Sequence, residues 1–147
     1  MAMTAVEELL EKGLAALEHG HTYLAMTCLE QALAAGKTPL ISSCLAYSLA
    51  LNRKDMERAV SLAREALRAE PARAEICLNA GRTLLLAGFR EEALSTFRHG
   101  LASGRDERLI AELDRLGNRR QPLFAKLPRG HFLNRCAGLI LSRLGFR

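Results

Sequence analysis

The sequence predicts an all-α solenoid of three helix-turn-helix units with a further helix closing the array. The first observation behind this prediction is a spacing of 34 residues that separates small or equivalent residues in three sets: Gly13, Tyr47 and Gly81; Ala25, Ala59 and Ala93; Ala32, Ala66 and Gly100. The second is that each period holds two stretches of apolar residues at helical spacing with turn residues between them. Such a period, with small residues where two helices approach closely, is typical of stacked helical repeats.

Composition agrees with a helical protein that buries a sizeable core. The chain has 147 residues, of which 49% are hydrophobic and 25% charged, close to the average for globular domains. The four cysteines form no CxxC pair, so we expect free thiols in a reducing compartment. We also expect a cytoplasmic protein, because the start resembles no secretory signal and no run of 18 apolar residues is present.

The boundaries of the helices follow from turn and capping residues. Helices of the first unit are separated by His19-Gly20-His21, and the second unit opens with Thr38-Pro39, a good cap followed by proline at the first helical position. Glu70-Pro71 precedes the third unit, whose two helices are joined through Gly88. The units cover about 6–37, 38–71 and 72–105, and their predicted helices are Ala5–His19, Thr22–Ala35, Pro39–Asn52, Asp55–Ala69, Arg73–Ala87 and Arg90–Ala102.

A closing helix is predicted within residues 106–117, over Arg108–Leu116. It has an apolar stripe that would cover the last unit, formed by Leu109, Ile110, Leu113 and Leu116. We expect Glu112, Asp114 and Arg115 to face water, and Gly117 to end the helix. The array would therefore span residues 5–117.

Residues 118–147 differ in composition from the array. From residue 115 onward the chain has eight basic residues and no acidic one: Arg115, Arg119, Arg120, Lys126, Arg129, Arg135, Arg143 and Arg147. An irregular stretch containing Pro122 and Pro128 would precede an amphipathic helix over His131–Leu144. Its apolar side would dock on the array or on a second copy, giving a homodimer. The alternatives are contact with an anionic membrane surface or an acidic partner, and, least favoured, nucleic-acid binding.

The chain resembles a tetratricopeptide repeat (TPR) protein over its three units. The third unit carries the pattern best, with Ala80-Gly81, Leu84, Ala93, Phe97 and Gly100 in the family's positions. In the second unit, Tyr47 stands where glycine is usual. The resemblance implies a right-handed superhelical solenoid and a non-catalytic adaptor or chaperone-like module that binds another protein or peptide.

The same resemblance implies a groove lined by the first helix of each unit. The groove residues would be Leu10, Leu14, Leu17, Cys44, Ser48, Leu51, Leu78, Arg82 and Leu85. This lining is mainly apolar and suits an apolar or amphipathic partner segment, although each leucine is equally compatible with the core between helices. The clamp that captures C-terminal carboxylates of heat-shock chaperones is not expected, because only Asn79 could match it and Glu75 stands where a cation is needed.

No residues suggest catalysis, a metal or a cofactor. His19 and His21 flank a glycine in a turn, and two histidines without a further ligand make at most half of a metal site. Gly81 and Gly88 lie within and after a helix with no preceding strand, so they form no phosphate-binding loop. We therefore expect that the protein is not an enzyme and binds no cofactor.

Overall fold

The computed structural model describes residues 4–117, which form seven α-helices and contain no strand. The helices are α1 (Ala5–Glu18), α2 (Thr22–Ala35), α3 (Pro39–Leu51), α4 (Met56–Ala69), α5 (Ala74–Leu86), α6 (Arg90–Leu101) and α7 (Glu107–Gly117). The predicted all-α solenoid is confirmed, and no predicted helix end differs from the observed one by more than about one residue. No helix within residues 4–117 is long and apolar enough to cross a membrane.

Side-chain caps explain where three of the helices begin. The Thr4 hydroxyl accepts from the Glu7 backbone N–H, and the Glu7 carboxylate accepts from the Thr4 N–H, which is a capping box for α1. Thr38 accepts from the Ile41 N–H, and Asp55 accepts from the Arg58 N–H at the start of α4. Each cap satisfies a backbone donor that the helix leaves without a partner.

The helices pack in pairs, and the pairs stack along the chain. Helices α1 and α2, α3 and α4, and α5 and α6 form the three units, while α2 packs against α3 and α4 against α5 to join them. Helix α3 packs broadly against α5 but contacts α1 at few residues. Asn52 reinforces the first joint, because its Nδ2 donates to the carbonyls of Thr22 and Ser48. The core therefore runs between neighbouring units.

The small residues of the 34-residue period lie where helices approach closely. Ala25, Ala59 and Ala93 are fully buried. A Cβ added to Gly13 would lie 2.7 Å from Leu29 Cγ, and one added to Gly81 would overlap the Phe97 ring. The period is thus a consequence of packing between the two helices of a unit.

One prediction about the closing helix is wrong. Glu112 does not face water; its side chain is only 9% exposed and accepts a hydrogen bond of 2.6 Å from Arg82 Nε. Its second carboxylate oxygen lies 2.8 Å from Arg115 Nη2. The sequence pattern places Glu112 on the polar side of α7, but an arginine from α5 reaches that side and buries the carboxylate. Asp114 and Arg115 are exposed as expected.

Candidate partner-binding groove

A cavity of about 260 Å³ opens on the face formed by α1, α3, α5 and α7. These are the first helices of the three units together with the closing helix. We call this cavity the groove, and its lining residues are Leu14, Leu17, Glu18, Leu40, Tyr47, Glu75, Leu78, Asn79, Arg82 and Arg108. The groove therefore has an apolar floor of four leucines and a margin of charged and polar side chains.

Four of the nine residues predicted for the groove line it, namely Leu14, Leu17, Leu78 and Arg82. The three other leucines are partly buried and lie outside its lining; they are Leu10, Leu51 and Leu85.

The prediction is wrong for Cys44 and Ser48, which are both fully buried. Cys44 belongs to the hydrophobic core, and the Ser48 hydroxyl donates to the Cys44 carbonyl at 3.0 Å. The physical reason is that α3 is the central helix, packed against α2, α4 and α5. Its neighbours cover a face that would be open in a helix at the end of the array.

Six lining residues were not predicted for the groove, and three of them are charged; the six are Glu18, Leu40, Tyr47, Glu75, Asn79 and Arg108. Glu18, Glu75 and Arg108 line the groove, so it is more polar than the mainly apolar surface that the sequence predicted. Arg108 lies two periods after Leu40, and both line the groove, so the 34-residue period extends into the closing helix.

Arg82 is held in place from two sides. Its Nε donates to the buried Glu112 carboxylate at 2.6 Å, and its Cζ lies 5.5 Å from the centre of the Tyr47 ring. The Arg82 side chain itself is 31% exposed. Stacking on an aromatic face and a charge-assisted hydrogen bond both restrict the guanidinium to one orientation.

Two of the other three charged groove residues, Arg108 and Glu75, have partners of their own. Arg108 binds Asp106 through two hydrogen bonds, of 3.2 Å from Nε and 2.8 Å from Nη2, and these bonds lower the pKa of the Asp106 carboxyl. Glu75 pairs with Arg73 at 3.2 Å. Asn79 Nδ2 lies 3.3 Å from Cys44 Sγ. Arg82 also has a partner, Glu112, but that hydrogen bond uses only the Nε of its guanidinium, whereas Arg108 uses both Nε and Nη2.

In the part of the chain that the structure describes, the thiols and histidines have no arrangement that suggests catalysis. Burial raises the pKa of the Cys44 thiol to about 11, and burial also raises the pKa of Cys77. The His19 and His21 rings stack with centroids 6.4 Å apart. Among residues 4–117 there is no group of three His, Cys, Asp or Glu side chains that could hold a metal ion.

The predicted basic segment lies almost entirely outside the described residues. Arg115 is described and pairs with Glu112. The remaining basic residues of that prediction fall in 118–147, beyond the part of the chain that the structure describes, and so does the helix predicted over 131–144. Self-association, anionic membrane contact and nucleic-acid binding through this segment stay predictions.

The paired helices, their stacking and the groove on the first helices define a solenoid of the tetratricopeptide-repeat type. The TPR domain of Sgt2 from Aspergillus fumigatus has a similar structure, with a TM-score of 0.59, and the match covers 90% of this chain and 95% of that chain. The two sequences are 17% identical, so the likeness concerns the fold. No protein-family model and no curated protein matches the sequence. The TPR fold predicted from the 34-residue period is confirmed.

Proposed function

We propose that the chain is a non-catalytic protein–protein interaction module, an adaptor or chaperone-like protein, whose groove binds a segment of a partner protein. The observation that carries this proposal is the groove itself, which four alternate helices of the solenoid, α1, α3, α5 and α7, build together. TPR folds present such a face to extended or helical peptide segments. The three cysteines within residues 4–117 are unpaired, which agrees with a reducing compartment such as the cytoplasm.

The floor of the groove suits an apolar anchor side chain. Leu14, Leu17 and Leu40 are partly buried, and Leu78 is 4% exposed. A cavity of about 260 Å³ has room for one or two large side chains and not for a whole helix. Burying one leucine or phenylalanine of a partner would contribute about 1.5–3 kcal/mol. The proposed ligand is therefore an amphipathic segment that inserts an apolar residue.

The chemistry of the described residues favours binding over catalysis. Burial keeps the Cys44 and Cys77 thiols protonated, and a thiol is a poor nucleophile compared with a thiolate. The groove carboxylate of Glu75 is paired with Arg73. A binding role needs none of these groups to react.

A selection from a library of random peptides displayed on phage tests the proposal. The full-length chain serves as bait, and selected peptides are then measured by fluorescence anisotropy. Leu14→Glu should abolish their binding, because it places a charge on the apolar floor. Leu24→Glu is the matched control, since Leu24 is 54% exposed on α2 and does not line the groove.

Circular dichroism should show the same helical content for both variants. Peptides that bind Leu14→Glu as well as the unchanged chain would contradict the groove as the binding site. A library that yields no binder sensitive to Leu14→Glu would likewise contradict it.

A further inference from the structure

We propose that Arg82 recognises a carboxylate of an acidic side chain in the partner segment, next to the apolar residue that enters the groove. The inference rests on the proposed function and adds the chemical class of the ligand. It is carried by the position of Arg82 in the groove, by the groups that hold it and by the part of its guanidinium that those groups leave unused.

The guanidinium of Arg82 is fixed before any ligand arrives. Glu112, with a side chain only 9% exposed, accepts from Nε at 2.6 Å, and the Tyr47 ring lies 5.5 Å from Cζ. An arginine restricted in this way loses less conformational freedom when it binds a ligand than a free surface arginine does. The arrangement therefore preorganises Arg82 for recognition.

The Arg82 guanidinium makes a single side-chain hydrogen bond within residues 4–117, through Nε. Within residues 4–117, Nη1 and Nη2 donate to no protein group, while the side chain lines the groove and is 31% exposed. Two N–H groups of a guanidinium match the two oxygens of a carboxylate in a bidentate pair. The open edge of Arg82 thus has the geometry that an Asp or Glu side chain requires.

The two groove cations differ in how much of the guanidinium the protein uses. Glu112 accepts from Arg82 through Nε alone, and its second oxygen lies 2.8 Å from Arg115 Nη2. Arg108, the other groove cation, is bound by Asp106 through both Nε and Nη2. A carboxylate that binds Nη1 and Nη2 of Arg82 would therefore leave the bond to Glu112 in place.

The residues around Arg82 define which peptide sequence it would recognise. Leu78 precedes it by one helical turn on α5, so an acidic residue at Arg82 lies beside an apolar residue on the groove floor. Glu18 and Glu75 also line the groove and would repel further negative charges. The expected motif is a single Asp or Glu adjoining a large apolar residue, and not a run of acidic residues.

The test uses the peptides that bind the full-length chain and fail to bind Leu14→Glu. These peptides should be enriched in one acidic residue next to an apolar one. The double variant Arg82→Gln with Glu112→Gln removes both charges together, so no buried charge is left without a partner. It should bind these peptides at least about tenfold more weakly, as expected for loss of a charge-assisted hydrogen-bond pair. Arg68→Gln, an exposed arginine on α4 outside the groove, should have no effect.

A second variant tests whether weaker binding by the double variant comes from a folding defect. Arg82→Lys keeps the cation but cannot form the bidentate pair, so it should also weaken binding, by less than the double variant. Replacing the acidic residue of the peptide by its amide should weaken binding to the unchanged chain and have no further effect on the double variant.

The outcomes separate this inference from the proposed function. Peptides that depend on Leu14 but bind the Arg82 variants unchanged, or that contain no acidic residue, overturn the role of Arg82 and leave the groove intact. If no peptide depends on Leu14, both proposals are overturned.

Discussion

At the scale of single residues, the packing inside each unit depends on pairing a small residue with a large one. Gly13 faces Leu29 and Gly81 faces Phe97. In the second unit the sizes are exchanged, because Tyr47 stands at the glycine position and Ala63 at the position of Leu29 and Phe97. Tyr47 lines the groove and stacks with Arg82. The departure from the TPR pattern that the sequence showed at residue 47 thus contributes to the candidate site.

We expect Gly81→Ala to destabilise the protein by about 1–3 kcal/mol, because the new Cβ would overlap the Phe97 ring. The sign of this change in the free energy of unfolding is informative. At an open position inside a helix, the same change would stabilise by about 0.5–1 kcal/mol. Equilibrium unfolding in urea measures the difference in the free energy of unfolding between the variant and the unchanged chain.

The control for this prediction is a double-mutant cycle with Phe97→Ala. Once the ring is removed, the Cβ at position 81 meets no obstacle, so Gly81→Ala should no longer destabilise in that background. A loss of stability that persists without the ring would show that crowding by Phe97 is not the cause.

At the scale of helices, the sequence predicted the elements well because their signals are local. Capping residues, prolines and the spacing of apolar residues gave the helix ends within residues 4–117 to within about one residue. The candidate site was predicted less well, because contacts between units decide it. Cys44 and Ser48 are buried by the neighbours of α3, and Glu112 is buried and bound by an arginine 30 residues away. No local pattern indicates either contact.

The closing helix α7 contributes Leu109 to the core, and one substitution tests how much this contributes to stability. Leu109 is fully buried, and a Cβ added to Gly100 would lie 2.8 Å from its Cδ1. We expect Leu109→Ala to destabilise by about 2–5 kcal/mol, the usual cost of truncating a buried leucine. Denaturation in urea, followed by circular dichroism, measures it.

Ile110→Ala serves as the matched control on the same helix, since Ile110 is only partly buried and should cost less. Equal and small effects of the two substitutions would mean that α7 unfolds apart from the rest of the array, contrary to the expectation.

At the scale of the whole array, ion pairs join the second helices of successive units. Glu30 pairs with Arg58 and Arg64 with Glu92, at a separation of 28 residues in each case. Lys37, just after α2, pairs with Glu65 at the same separation. All three pairs are well exposed, so each contributes about 0–1 kcal/mol and is weakened by salt. Together they make the coupling between units sensitive to solution conditions.

The dependence of stability on pH follows from the carboxylates that the arginines hold ionised. Hydrogen bonds from Arg64 lower the pKa of Glu92 below its ordinary value of 4.5, and those from Arg108 lower the pKa of Asp106 below 3.8. Between the unfolded and folded pKa values the unfolded chain binds more protons than the folded chain. The contribution of these two carboxylates to stability is therefore fully present above about pH 4.5 and is lost as the pH falls through the folded pKa values. Thermal unfolding midpoints measured from pH 7 to pH 3 should therefore decrease below pH 4.5. The double variant Glu92→Gln with Asp106→Asn should show a flatter decrease of the unfolding midpoint. An equally steep decrease would show that other carboxylates cause the acid sensitivity.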